Sequence, residues 1–277
     1  MTKPATTRAK LSRGKRAPLL RRPPPLRAAC ALFLDIDGTL LDLAATPDTV
    51  QVDTAIASLL PALERLLGGA IALITGRTIA DADGLFPGLT LPVAGQHGFE
   101  RRSADGAMHT HGSEPPGHRW LHGELTHLVE RHDGLWLEDK GITFALHYRQ
   151  APGLASYVNR TVRAMVATTN RAGAEWRLQP GKCIVEIRPA GRNKGAAILD
   201  YMAEQPFAGR LPVFVGDDRT DEFGFTAIGL VGGWAVKVGS GPTHARFRLR
   251  DVAAVRHWLA ALLPNAPLSR TQPLAAT

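Results

Sequence analysis

The chain has 277 residues, a hydrophobic fraction of 44% and a net charge of +8. That length buries a full core in one large domain or two modest ones. No apolar run approaches the roughly 20 residues that span a bilayer, and the two cysteines, Cys30 and Cys183, make neither a disulfide framework nor a metal-ligand spacing. Both read as reduced apolar fillers of strands. The charge is uneven. Nine Lys and Arg and no acid fall within residues 1–29, and taking those nine from +8 leaves −1 for the rest. Residues 1–28 therefore read as a disordered basic tail, rich in Pro and without aromatics. Only that tail speaks for nucleic acid, and nothing in the catalytic motifs below uses it. The run Cys30–Leu34 is too short for a signal-peptide core and acids follow at once, so the expected setting is the cytoplasm, without a membrane.

The first buried strand is Ala31–Leu34, which runs into Asp35-Ile36-Asp37-Gly38-Thr39. A helical stripe follows from Asp53 to Leu67, where Pro61 predicts a kink or two short helices. Ala70–Ile74 is a second buried strand, with Thr75-Gly76-Arg77 at its carboxyl end. Pro212–Val215 is a third, ending in Gly216-Asp217-Asp218. Strands alternating with helical stripes predict an α/β fold with a parallel sheet, which binds ligands beyond the carboxyl ends of its strands.

Residues 102–189 have another character. They predict a helix (118–131), two strands (135–138 and 142–148), a second helix (154–171) and two strands (175–178 and 182–188). This αββαββ pattern is a small antiparallel sheet with two helices on one face. It interrupts the α/β pattern as an inserted α+β cap, which leaves residues 29–101 and 190–263 as the core. Residues 264–277 read as a loose end.

Asp35 and Asp37, two apart just past a strand, can face one pocket. One can attack phosphorus, while the other protonates the leaving alkoxide and then activates water. Gly38 allows close backbone approach to a phosphate. Thr75 offers a hydroxyl, and Lys194 offers a charge at a helix start. Asp217, with Asp218 and Asp221 nearby, offers hard oxygen ligands for Mg²⁺. These elements, Asp35-Ile36-Asp37-Gly38-Thr39, Thr75, Lys194 and Gly216-Asp217-Asp218, resemble the four motifs of the haloacid dehalogenase superfamily of phosphatases. The resemblance implies a Rossmann-like core with Asp35 as nucleophile and Asp37 as general acid/base. It also implies Mg²⁺ held by Asp35, the Asp37 carbonyl and Asp217, with Asp218 the further candidate and the choice between Asp218 and Asp221 left open, and phosphate held around Gly38, Thr75, Gly76 and Lys194.

Specificity is expected from the inserted segment. Gln96-His97-Gly98, Leu137-Glu138-Asp139-Lys140-Gly141 and Lys182 to Pro189 are polar clusters in or beside it, and strand alternation sets Glu186 opposite Val185 and Ile187. Together with His147-Tyr148-Arg149 and Arg219-Thr220-Asp221-Glu222, they look like the trehalose-6-phosphate phosphatases. That resemblance implies sugar contacts from Glu138, Lys140 and Glu186, with Arg77 and His97 beside them. A sugar phosphate is then the expected substrate and a trehalose-phosphate synthase a candidate partner. His118 and His122 have the spacing of a two-histidine metal site, but no third ligand shares their register, so they read as solvated helix residues.

Overall fold

The computed structural model describes residues 21–43, 52–111, 115–181 and 183–263. Strand β1 (Cys30–Leu34) is buried at all five positions, as an apolar run covered on both faces must be. It pairs in parallel with β2 (Ile71–Ile74) on one side and β10 (Leu211–Gly216) on the other. Beyond β2 come β3 (Val93–Gly95), then β4 (Glu100–Arg102) and β5 (Met108–Thr110), the last two antiparallel. Beyond β10 come β11 (Trp234–Val238) and β12 (Phe247–Leu249). The order β12-β11-β10-β1-β2-β3-β4-β5 reverses its direction of growth between β1 and β10. At such a switch point an open parallel sheet has its crevice.

The sheet's alternation splits the core into two layers. Leu32, Leu34, Leu73, Val213, Val215 and Val236 face helices α1 (Thr54–Leu66), α2 (Ile79–Leu85) and α7 (Val252–Ala260). Ala31, Phe33, Ile74, Phe214 and Ala235 face α5 (Lys194–Met202) and α6 (Asp221–Leu230). Of the kink or two short helices expected at Pro61, the second does not form: α1 is one continuous helix with Pro61 inside it. Its Ile56, Leu59, Leu60 and Leu63 are buried on the sheet, and the carbonyl that Pro61 leaves without a donor belongs to exposed Ala57. Asp53 caps its start by accepting from Ile56 N at 2.9 Å.

The inserted segment forms the expected αββαββ unit: α3 (His118–Glu130), β6 (Trp136–Asp139), β7 (Phe144–His147), α4 (Ala155–Arg171), β8 (Trp176–Gly181) and β9 (Ile184–Pro189). Its sheet runs β6-β7-β9-β8, antiparallel throughout. Helices α3 and α4 cover one face through Leu121, Leu125, Leu128, Val158 and Val162, packed on Phe144, Leu146, Val185 and Ile187. The opposite face carries Glu138, Ala145, Glu186 and Gln179 in one cross-strand row.

Three placements differ from the sequence reading. Residues 102–110, expected in the cap, belong to the large sheet: Arg102 ends β4, and Met108–Thr110 return as β5 to complete the ladder that β4 opens. Cys183 lies in the turn between β8 and β9 with φ of 63°, not in a strand. Residues 21–28, expected in the disordered tail, are packed on the core. Leu26 is buried, Trp258 Nε1 donates to the Pro24 carbonyl at 2.9 Å, and Arg248 N donates to the Arg21 carbonyl at 3.1 Å beside edge strand β12. The rest of that tail, the loose end 264–277 and Lys182 lie outside the described residues.

Candidate active site

Asp35 follows β1 at the switch point and is buried at 4% exposure. Asn193 caps α5 by accepting from Ala196 N at 3.0 Å, which sets Lys194 as the first helical residue. Lys194 Nζ then lies 2.7 Å from Asp35 Oδ1 and 2.8 Å from Asp221 Oδ1. Burial lowers the Lys194 pKa, but the two carboxylates outweigh it and the ammonium is held firmly charged. Thr39 Oγ1 donates to the other Asp35 oxygen at 3.3 Å.

Asp217, at the end of β10, and Asp221, at the start of α6, bring carboxylate oxygens within 4.8 Å of one another and of Asp35. Burial raises the Asp35 pKa well above the usual carboxylate range despite Lys194, and Asp221 and Asp217 add to the rise. Asp217 is pushed up to about 6 by burial and then by Asp221. Three crowded carboxylates against one ammonium lack positive charge. Asp217 Oδ1 is also buried with no hydrogen-bond partner. A hard divalent cation fits both deficits. Asp221 joins this cluster in place of Asp218, which is exposed and instead donates its backbone N–H to Asp221 Oδ2 at 2.8 Å. The sequence names Asp221 only as a neighbour of Asp217; the signal that sets it inward is its place on one helical stripe with Gly224, Phe225 and Ile228, all buried.

The glycines are fitted to this crowding. Gly38 has φ of +79°, and a Cβ there would stand 2.3 Å from Asp217 Oδ2. At Gly76 a Cβ would meet the His97 ring at 2.8 Å. Thr75 is buried at the end of β2, with its hydroxyl accepting from Arg77 N at 3.1 Å. Arg77 grips Asp37 in a two-pronged pair, Nε to Oδ2 and Nη2 to Oδ1, both at 2.7 Å. Both Asp37 oxygens thus accept hydrogen bonds from one guanidinium.

Gln96 and His97 follow β3 and belong to the core. Both have left-handed backbones, φ of 47° and 57°, an uncommon strain for non-glycine residues that points to a functional constraint. From that turn His97 Nε2 reaches Glu186 Oε2 of β9 at 3.1 Å, and Gln96 Oε1 accepts from Thr143 of the cap at 2.9 Å. Lys140 Nζ donates to the Gly76 carbonyl at 3.2 Å. Glu138, Lys140 and Glu186 are therefore gathered on the cap face that looks onto the core. Burial opposes ionisation of Glu186, yet His97, Lys140 and Arg188 outweigh it and bring its pKa down to about 2. Glu138 is lowered too, with His147 at 2.9 Å and Lys140 at 3.5 Å overcoming burial. The sequence offers His147 and Arg188 only as members of longer motifs; Arg188 Nε is buried on this face without a hydrogen-bond partner. Of the two helix histidines expected in solvent, His118 instead packs half-buried on Phe144, with ring centroids 4.7 Å apart, while His122 stays partly exposed and faces Asp139 at 3.4 Å.

A buried Asp beside a second Asp, a buried lysine, a strand-end threonine and an acidic triad at the switch point, all under an α+β cap, define a phosphatase of the haloacid dehalogenase type. The trehalose-phosphatase family model matches residues 33–253. The trehalose-6-phosphate phosphatase of Escherichia coli K12 is 42% identical over 243 residues, covering 87% of this chain and 89% of that one. A bifunctional trehalose-6-phosphate synthase/phosphatase of Thermoproteus tenax is 32% identical over 241 residues, which cover 84% of this chain and 32% of that longer protein. Among solved structures, the C-terminal domain of the C. albicans trehalose-6-phosphate phosphatase superposes with a TM-score of 0.74 at 20% identity, covering 85% and 92% of the two chains, a likeness of fold. The chain belongs to the trehalose-phosphatase family.

Proposed function

We propose that this protein hydrolyses trehalose 6-phosphate to trehalose and inorganic phosphate through a phosphoryl-Asp35 intermediate. The observation that carries the reading is the arrangement of Asp35, clamped by Lys194 beside Asp217 and Asp221, beneath a cap face bearing Glu138, Lys140 and Glu186. In the first step an Asp35 oxygen bonds to phosphorus, the P–O bond to the sugar breaks, and Asp37 gives its proton to the leaving oxygen. In the second, Asp37 as carboxylate takes a proton from water, whose oxygen attacks phosphorus and releases Asp35. Arg77 must give up part of its grip for Asp37 to carry the first proton, then is placed to hold the carboxylate for the second step. Lys194, the Thr75 hydroxyl and backbone donors near Gly38 and Gly76 face the phosphoryl oxygens.

Mg²⁺ suits the carboxylate cluster, with Asp35, Asp217 and Asp221 as the residues that would hold it alongside the Asp37 carbonyl. Bound there, the ion would offset the repulsion between the Asp35 carboxylate and the phosphate dianion. Cytoplasmic residence belongs to the same reading; among the described residues no helix is long and apolar enough to cross a membrane. So does association with the synthase that makes the substrate, an activity joined to the phosphatase in the name of the T. tenax relative.

The test is phosphate release from a panel of sugar phosphates with and without Mg²⁺, for wild type, Asp35→Asn and Glu138→Ala. Preference for trehalose 6-phosphate, lost mainly in Glu138→Ala and with all release abolished in Asp35→Asn, supports the reading. Preference for another sugar phosphate keeps the chemistry and removes the substrate.

A further inference from the structure

The open face of the cap sheet ends in a tryptophan that the chemistry above does not use. Trp136 is at the start of edge strand β6, two residues before Glu138, so both side chains stand on the same face. Its cross-strand neighbour is His147, and the indole and imidazole centroids lie 4.5 Å apart at 32°. His147 Nε2 in turn lies 2.9 Å from Glu138 Oε2. Indole, imidazole and carboxylate therefore form one continuous wall. Its inner end is set by Lys140, which reaches the Gly76 carbonyl beside Thr75. Each two-residue step along a strand is about 7 Å, so Glu138 stands one step outward from Lys140 and Trp136 one step beyond that. The wall leads away from Gly76 and the phosphate site.

Trp136 leaves 48% of its surface exposed, whereas Trp176 and Trp258 are buried in the two domains' cores. Trp120 is nearly as exposed, but it sits on α3, which covers the other face of the cap sheet. Trp136 stands half open on a face otherwise made of carboxylates and histidine. A pyranose matches that mixture, since its rim carries hydroxyls and its faces carry C–H bonds. Carboxylates such as Glu138 and Glu186 suit the rim. An aromatic ring suits the face, which is the division of labour usual in ligand pockets.

We propose that Trp136, held upright by His147, is the stacking surface for the sugar ring remote from the phosphate and so a determinant of selection for a disaccharide phosphate. The inference rests on the trehalose 6-phosphate reading. It is tested by steady-state kinetics of wild type, Trp136→Ala and Trp136→Phe with trehalose 6-phosphate, together with inhibition by free trehalose and by inorganic phosphate. The expected result is a rise in KM and in the trehalose inhibition constant of roughly three- to tenfold in Trp136→Ala. The turnover number and the inhibition constant of phosphate stay within about twofold of wild type, since the phosphoryl site is untouched. Trp136→Phe recovers most of the loss. Unchanged KM in Trp136→Ala overturns the proposal, as does a loss shared equally by trehalose and phosphate inhibition. If wild type does not turn over trehalose 6-phosphate at all, the functional reading falls and this inference with it. A wild type that does so while Trp136→Ala matches it removes this inference alone.

Discussion

His97 Nε2 lies 3.1 Å from Glu186 Oε2, and the pair joins the strained turn after β3 to the open face of the cap. Glu186 has its pKa lowered from 4.5 to about 2 by His97, then Lys140 and Arg188, against the opposing effect of burial. A lowered carboxylate pKa adds stability that is complete above the unfolded value near 4.5 and disappears as pH falls toward 2. Wild type should therefore melt above Glu186→Gln at pH 6, and the gap should narrow steadily as the pH is lowered from 5 toward 2. Thermal unfolding of both proteins across that range reads it. A gap that stays constant means the carboxylate charge is not what joins the two parts.

Asp35 combines function with strain. Its burial and the nearby Asp221 and Asp217 hold its pKa high, and Lys194 offsets them only in part. Replacing a buried, repelled carboxylate by a neutral amide of the same shape removes that cost. Asp35→Asn should lose at least about a thousandfold in phosphate release while melting about 2–4 °C above wild type in chelator, the shift of roughly 1 kcal/mol for a protein this size. Melting at or below the wild-type temperature would mean that the Lys194 contact outweighs the crowding.

Arg77 holds both oxygens of Asp37 at 2.7 Å, a fork that an ammonium cannot reproduce. Arg77→Lys should keep the charge, lose the orientation and lower the turnover number about tenfold or more, with a changed pH dependence on the acidic limb. Stopped-flow phosphate release over pH 5–8 measures both. Wild-type turnover in Arg77→Lys would leave Arg77 as a structural residue only.

Residues 21–28 anchor the start of the chain to β12 and α7 through Leu26, the Pro24 carbonyl and the Arg21 carbonyl. Removing residues 1–20 should leave the melting temperature unchanged. Removing residues 1–28 exposes the site of a buried leucine, worth about 2 kcal/mol, and should lower the melting temperature by several degrees. Salt-sensitive retention on DNA or RNA that vanishes in the shorter deletion, with phosphatase activity intact, would give the basic segment a function of its own.

The sequence by itself determined which stretches become buried strands and which carboxylates end them. Apolar runs such as Ala31–Leu34 and Pro212–Val215 admit few other states, and Asp35, Asp37 and Asp217 follow directly at their ends. The cap's αββαββ order was equally legible, because periods of two and of 3.6 alternate cleanly there. Contacts between distant segments were another matter. That Asp221 rather than Asp218 enters the acidic cluster depends on where α6 begins relative to β10, which leaves Asp218 in the loop between them. That β5 extends the large sheet depends on a hairpin partner, β4, too short to announce itself. The pairings of His97 with Glu186 and of Lys140 with the Gly76 carbonyl cross from one sheet to another. Local periodicity sets which way a side chain points, and only the packing of whole elements sets what it meets.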